Sequence, residues 1–290
     1  MAYYDGKKLA NEGLLTVAQR CAMAALKAPQ MTGTTELKIE ILTNEDIDAI
    51  VEVLGILGED NTVCYGDNKT LKSCTDKGTP PTILLIGGTG LGNSGLDWDC
   101  GACGFATCKE HDAYLAVERD KPPDFTRPSA FGAPGPVCVW KAMDTGVAMD
   151  WACATAYQHN VENRAMASVG AISQALGYLA GCEVVIGVAL GPCEPEVYYN
   201  RPSLKGTFDE ADIMSYLMRA IPHHFMGFPG TGDPRMKYSE EWESDARYIR
   251  VAKREEADQS KKEAGMARVM QLVMETRAKL AERAAAEAEK

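Results

Sequence analysis

The sequence predicts a mixed fold, a layered α/β or α+β body followed by a helical C-terminal appendage. Segments with the apolar spacing of helices alternate with a few short, apolar strands. Glycine and proline recur as far as about residue 236, but residues 237–290 contain only one glycine and no proline. This change in composition predicts two parts, a body over residues 1–236 and a helical extension over residues 237–290.

Apolar periodicity assigns the elements of the first third of the chain. Residues 55–80 are rich in glycine, aspartate, asparagine and threonine, and are predicted to form a loop. The regular segments around this loop are a helix at 8–28, a strand at 36–42, a helix opened by the capping-box pattern of residues 43–46, and a buried strand at 82–86.

The rest of the body continues the alternation after a cysteine-rich segment at 100–108 and a proline-rich loop at 121–138. Its predicted elements are helices at 145–158 and 161–180, an apolar strand at 184–190 and a helix capped by residues 207–210. In the extension, apolar side chains form a stripe at helical spacing: Met266, Val269, Met270, Val273 and Met274. This stripe predicts either a core contact or the subunit contact of a homo-oligomer.

Charge and hydropathy argue against several classes of function. The net charge is −11, so binding of nucleic acid through a basic surface is not expected. The chain has no stretch of about 18 uncharged apolar residues, which argues against a membrane span. Residues 1–15 lack the apolar core of a signal peptide, so we expect a cytoplasmic protein.

Ten cysteines are many for a reducing compartment, where clustered thiols indicate a metal or redox site. Cys100, Cys103 and Cys108 follow the pattern C-x2-C-x4-C, with Gly101 and Gly104 between them. Glycine lets the backbone wrap closely around a metal centre, and the amides of such a wrap stabilise negative charge. The pattern favours a [4Fe–4S] cluster over zinc, which usually needs a second cysteine pair or histidines.

A cubane cluster needs a fourth ligand and tolerates one that is distant in sequence. Cys138 lies in a loop immediately before a helix and is the predicted fourth ligand, while His111 is the only nearby imidazole for a zinc alternative. Cysteines within helical patterns or at their ends are predicted to be structural, namely Cys21, Cys153 and Cys182. Cysteines in predicted loops stay open as candidates, namely Cys64, Cys74 and Cys193.

The segment Cys100–Cys108 is similar to the CGxCGxxxC wrap of [4Fe–4S] domains in corrinoid iron–sulfur proteins and in electron-transport complex subunits. More of the chain, about residues 9–201, resembles an uncharacterised family of ferredoxin domain-containing proteins from anaerobic bacteria and archaea. The resemblance implies an iron–sulfur cofactor with Cys138 as its fourth ligand, and it implies no particular reaction. The matching stretches are Asn11–Leu15, Ala28–Gly33, Leu85–Gly87, Gly95–Leu96, Gly135–Cys138, Asp144–Ala148, Val161–Arg164 and Tyr198–Arg201.

A weaker resemblance implies a flavin. A helix that ends at residues 28–29, followed by a small-residue loop and an edge strand, is similar to the FMN-binding nitroreductase fold, although the arginine-rich start of that family is missing. Candidate flavin or phosphate contacts are Lys27, Thr32, Asn163, Arg164 and Arg201. For Asn163, Arg164 and Arg201, a structural role in an ion pair is the alternative.

Acidic and aromatic side chains flank the cysteine motif. Asp97 and Asp99 would either add negative charge near a cluster or act as solvated turn residues. Trp98, Phe105 and Trp140 would shield the site from water or serve as core aromatics.

Three functional hypotheses follow from these observations. In the first, an iron–sulfur redox protein passes single electrons to or from a partner protein, with an oxidoreductase variant that adds FMN and reduces a small molecule. In the second, a non-catalytic assembly module uses its metal only to support the fold. In the third, one iron of the cluster stays open as a Lewis acid, so that three cysteine ligands are sufficient.

Overall fold

The computed structural model describes residues 5–59, 61–89, 97–119, 121–125, 135–192, 197–198 and 259–289. The helices in these ranges are α1 (Gly6–Glu12), α2 (Leu14–Lys27), α3 (Glu45–Leu57), α4 (Thr62–Asp76), α5 (Cys108–Arg119), α6 (Val139–Gln158), α7 (Ala167–Leu176) and α8 (Gln259–Ala288). The strands are β1 (Glu36–Leu42), β2 (Thr82–Thr89), β3 (Asn163–Met166) and β4 (Cys182–Leu190).

The four described strands form one antiparallel sheet in the order β1-β2-β4-β3. The two central strands pair from Thr82 opposite Leu190 to Thr89 opposite Cys182. Most of their side chains are buried, on both faces of the sheet. This burial explains why both strands are continuous apolar runs in the sequence rather than alternating ones.

Helices cover both faces of the sheet. On one face, α2 and α6 pack on Leu84 and Ile86 of β2. On the other face, the core around Ile83 and Leu85 includes residues of α3, α4 and α7. Successive residues of a strand point to opposite faces, so β2 contributes alternately to two cores. The predicted mixed, layered body is therefore confirmed, and its sheet is antiparallel.

The predicted loop at residues 55–80 is wrong, because α4 occupies most of it. The Asn61 side chain caps this helix by accepting hydrogen bonds from the N–H groups of Val63 (2.9 Å) and Cys64 (3.2 Å). One side of α4 is buried in the core through Cys64, Leu71 and Cys74. Capping and burial together outweigh the low helix propensity of its glycine, asparagine and threonine residues.

Other boundaries also differ from the prediction. Residues 163–166 are not the first turn of a helix, because Asn163 pairs with Leu190 and Met166 with Gly187 across the sheet edge. The helix after residue 43 exists, but its predicted capping box does not. Asn44 is its N-cap with a φ of +50°, and its side chain makes no capping hydrogen bond. Helix α5 was not predicted.

The C-terminal helix α8 confirms the predicted helical C-terminus. Val269, Leu272 and Val273 are buried in the core that α3 and α7 also line, whereas Met274 is 64% exposed. The guanidinium group of Arg268 pairs with Glu52 of α3 at 2.7 Å. The buried part of the predicted stripe thus contacts this chain's own core. None of the helices in the described ranges has the length and apolar character of a membrane span.

The chain divides into two compact units, residues 1–201 together with 265–290, and residues 202–264. Apart from residues 259–264, the second unit lies outside the described residues. The helix predicted after residues 207–210, the predicted boundary at residue 236, Cys193 and Arg201 also lie outside them.

Candidate metal centre

Four cysteines line a single pocket, although Cys138 lies 30 positions after the last of the other three. Cys100 and Cys103 border it from the loop before α5, Cys108 from the first turn of that helix, and Cys138 from the start of α6. Cys100 is exposed, and the other three cysteines are half-buried. The structure thus brings together the four residues that the sequence analysis selected as ligands.

The loop that carries the first cysteines turns back on itself. Gly101 and Gly104 have φ angles of +69° and +91°, which residues with side chains rarely adopt. The N–H of Gly104 donates to the carbonyl of Gly101 at 3.0 Å. The Asp99 carboxylate accepts the N–H of Cys108 at 2.9 Å, which satisfies one free N–H group at the start of α5. Asp99 is therefore a turn and capping residue.

Hydrogen-bond donors are directed at the sulfur of Cys100. The backbone N–H of Ala102 and the indole Nε1 of Trp140, at 3.4 Å, both contact this sulfur. Together they lower the pKa of the Cys100 thiol, the Ala102 N–H having the larger effect, so the thiolate is favoured. Trp98 packs edge-on against Trp140 with 6.1 Å between ring centroids, but it is itself 56% exposed and shields the pocket only in part.

The fourth cysteine of the pocket is held at a helix N-terminus. Cys138 is the N-cap residue of α6; its side chain makes no capping hydrogen bond, but the nearby N–H groups of Lys141 and Trp140 in the first turn lower its pKa. Unpaired N–H groups at a helix start stabilise a thiolate. Burial opposes them and has the larger effect, so the pKa of Cys138 is raised.

A buried ion pair forms one wall of the pocket. The side chains of Lys141 and Glu183 are only 4% and 1% exposed, and their charged atoms lie 4.0 Å apart. Oε2 of Glu183 also accepts the backbone N–H of Cys138 at 2.8 Å. Neither Lys141 nor Glu183 was predicted from the sequence to belong to the site. A charged residue directly before the apolar run of residues 184–190 is the signal that would have identified Glu183.

The side chain of His111, which lies on α5, is buried against the segment that leads to Cys138. Its Nε2 lies 3.1 Å from the carbonyl oxygen of Pro136, and its ring packs edge-on against Phe105 with 5.5 Å between centroids. A carbonyl group only accepts, so Nε2 carries the hydrogen in this contact. Through Nε2, the imidazole that the zinc alternative would use links α5 to the segment before Cys138.

The donor set of the pocket fits an iron–sulfur cluster. Within the described ranges, no three His, Cys, Asp or Glu side chains are arranged to hold one metal ion. A cubane cluster makes a different demand, because each cysteine binds its own iron and the sulfurs surround the cluster rather than a single ion. Four cysteines around one pocket, with hydrogen-bond donors directed at the Cys100 sulfur, provide ligands of the required kind and number.

The remaining described cysteines belong to the cores rather than to the pocket. Cys21 is buried between α2 and α6 close to Cys153, and Cys182 is buried at the start of β4. These three confirm the prediction of structural cysteines. Cys64 and Cys74 do not lie in a loop as predicted, but are buried in α4. Burial raises the pKa of Cys64 to about 12, which keeps its thiol protonated.

The loop predicted to lie near a flavin is fastened to α6 by a buried carboxylate. Asp144 accepts hydrogen bonds from the N–H of Met31 (2.7 Å), the hydroxyl of Thr32 (2.5 Å) and the hydroxyl of Thr35 (2.8 Å). Thr32 therefore has a structural partner, and Lys27 is exposed at the end of α2. The sequence places Asp144 in a stretch that resembles the family but predicts no role for it.

The other candidate contacts lie at the edge strand β3. The Asn163 amide donates to the carbonyl of Cys153, nine residues beyond Asp144 on α6, which corresponds to about 14 Å along the helix axis. Arg164 donates to the carbonyl of Tyr198 at 3.2 Å. Two of the candidate flavin contacts, Thr32 and Asn163, therefore lie at well-separated positions along α6.

Comparisons with known proteins give two similarities. Residues 134–201 match the model of a family described as an uncharacterized protein containing a ferredoxin domain (DUF2148), and this range includes Cys138 and Glu183 but not the first three pocket cysteines. An uncharacterized protein from Archaeoglobus fulgidus is 27% identical over 199 residues, which make up 69% of this chain and 97% of that protein. No solved structure matches the chain. The resemblance to an uncharacterised ferredoxin-domain family is therefore confirmed over residues 134–201, with a distant archaeal relative beside it.

Proposed function

We propose that this protein is an iron–sulfur electron-transfer protein that holds one [4Fe–4S] cluster on Cys100, Cys103, Cys108 and Cys138. The single observation that carries the proposal is the common pocket of these four cysteines. Cys108 and Cys138 are 30 positions apart, so their sequence spacing alone does not require a shared pocket. The ferredoxin domain in the description of the matching family supports the same class of cofactor and the same activity.

A bound cluster would supply reversible one-electron transfer, and the protein would supply its ligands and surroundings. Donation from Ala102 and Trp140 to the Cys100 sulfur stabilises the thiolate in a position that reaches the surface. The N–H groups in the first turn of α6 also favour the thiolate of the more buried Cys138, but burial outweighs them. Exposure of Cys100 suits electron exchange with a partner, and the net charge of −11 favours a partner with a basic contact surface.

The first test is an anaerobic absorption spectrum of the full chain with iron and sulfide assays, before and after dithionite. We expect about four iron and four sulfide per chain and a broad band near 400 nm that bleaches on reduction. A colourless protein that contains zinc would overturn the proposal. Flavin released on denaturation would add an FMN-dependent reductase activity to it.

The second test asks which thiols hold the metal. Cys138→Ala should lose most of the iron, because one of four ligands is removed. Cys153→Ala is the matched control, a half-buried cysteine on the same helix that does not line the pocket. Full iron content and an unchanged spectrum in Cys138→Ala would contradict the four-cysteine assignment and favour a cluster with an open iron.

A further inference from the structure

The buried pair of Lys141 and Glu183 is unusual among the ion pairs of the described residues. The side chains of Lys72 and Asp76, for example, are 57% and 60% exposed, where water screens their charges. Lys141 and Glu183 are almost fully buried, and both line the cysteine pocket. Charges in a water-poor environment act strongly on their neighbours.

The carboxylate of Glu183 is incompletely hydrogen-bonded within the described residues. Oε1 of Glu183 accepts no hydrogen bond within the described part of the chain, and it lies 4.0 Å from Nζ of Lys141, beyond hydrogen-bond distance. Oε2 accepts the N–H of Cys138. The carboxylate is therefore fixed beside one pocket cysteine, with one oxygen that accepts no hydrogen bond from the described residues and faces the charge of Lys141.

The ammonium group of Lys141 lies on the same wall of the pocket, carried by helix α6. Lys141 lies three residues after Cys138, about one turn along α6, so both side chains project from the same end of the helix. Lys141, Glu183 and Cys138 all line the same pocket. A positive and a negative charge thus border the same thiol.

We propose that Lys141 and Glu183 set the reduction potential of the metal centre in opposite directions, Lys141 raising it and Glu183 lowering it. The inference rests on the proposed function. Reduction adds one electron, supplied in the test by dithionite, and therefore one negative charge to the pocket, without breaking a covalent bond. A fixed cation stabilises that added charge and a fixed anion destabilises it. Both residues act on the centre through their charges and not as its ligands.

The test is a redox titration of the purified full-length protein, followed by the electron paramagnetic resonance signal of the reduced centre. Lys141→Met removes the cation and should lower the midpoint potential. Glu183→Gln removes the anion, keeps an oxygen that accepts the Cys138 N–H, and should raise the potential. The double variant should return toward the wild-type value, because the two effects have opposite signs.

Lys72→Met is the matched control, since it removes an exposed lysine from an ion pair remote from the pocket lining. We expect its midpoint potential to equal that of the wild type. Unchanged potentials in Lys141→Met and Glu183→Gln, or shifts in the same direction, would overturn the inference while the proposed function stands.

If Lys141→Met does not retain the centre, Glu183→Gln decides alone, because a purely structural carboxylate would leave the potential unchanged. Absence of the reduced signal and of iron in the wild type would instead refute the proposed function. The two failures are therefore distinguishable in one series of samples.

Discussion

The Nε2 nitrogen of His111 lies 3.1 Å from the carbonyl oxygen of Pro136. This contact joins α5, which begins at Cys108, to the segment that ends at Cys138. Residues 126–134, which lie between them in the sequence, are outside the described residues. Within the described part of the chain, the His111 contact connects the two sides of the pocket. The contact gives this buried histidine a structural role beside the site.

His111→Phe should therefore reduce the iron retained per chain, because phenylalanine fills the space but donates no hydrogen bond. His111→Gln keeps an amide donor and should retain more iron. Iron assays after anaerobic reconstitution, with circular dichroism as a check of folding, measure the difference. Equal iron content in the two variants would refute the role of this hydrogen bond. Exposed His159 provides the control substitution to phenylalanine.

Trp140→Phe should lower the midpoint potential of the centre while the iron content stays near that of the wild type. The substitution removes the indole N–H that donates to the Cys100 sulfur at 3.4 Å, and N–H donation to cluster sulfurs favours the reduced state. Trp151→Phe changes a tryptophan that is 43% exposed on the same helix and should have no effect. The prediction is wrong if both variants have the same potential in a redox titration.

Asp144→Ala should destabilise the protein by about 2–4 kcal/mol, because it leaves three donors of the 31–35 loop without their buried acceptor. Urea denaturation, followed by circular dichroism, measures the free energy of unfolding. Asp150→Ala is the control, since that carboxylate is exposed on the same helix. A similar loss for both variants would show that Asp144 has no special structural role.

Asn61→Ala should cost about 1 kcal/mol, because it removes the cap of α4. Asn61→Asp keeps the oxygen acceptor and should retain the stability of the wild type. The same denaturation experiment compares them. If Asn61→Ala is as stable as Asn61→Asp, packing alone forms this helix and the cap contributes nothing.

The protein should lose stability between pH 9 and about pH 11 in part through buried thiols. Burial raises the pKa of Cys21 and of Cys153 from the ordinary 9.0 to about 11. Below pH 9 these thiols are neutral in both states, and above it the unfolded chain loses their protons first. Unfolding is therefore favoured by up to about 1.4 kcal/mol per pH unit for each thiol.

Cys21→Ala tests this contribution through the slope of stability against pH rather than through stability itself, since the cavity it leaves is independent of pH. The slope above pH 9 should be smaller than in the wild type. An unchanged slope would show that Cys21 ionises as readily in the folded as in the unfolded state.

The fold was predictable where periodicity and burial agree. β1 occupies the predicted residues 36–42, and the apolar run at 184–190 lies within β4. Prediction failed where long-range contacts outweigh local propensity. Residues 163–166 were predicted to be helical, but they form the edge of the sheet by pairing with β4. The polar residues of α4 are helical because the other side of this helix is buried in the core.

The sequence by itself predicted the type of site, because cysteine spacing and interleaved glycines are local properties of residues 100–108. It also selected Cys138 as their distant companion. Only the tertiary structure decided which further groups surround them. Lys141 and Glu183 come from a helix and a strand 42 positions apart in the chain, and Asp144 meets its partners across more than 100 residues. Such pairings depend on how helices pack on a sheet, and no local pattern encodes them.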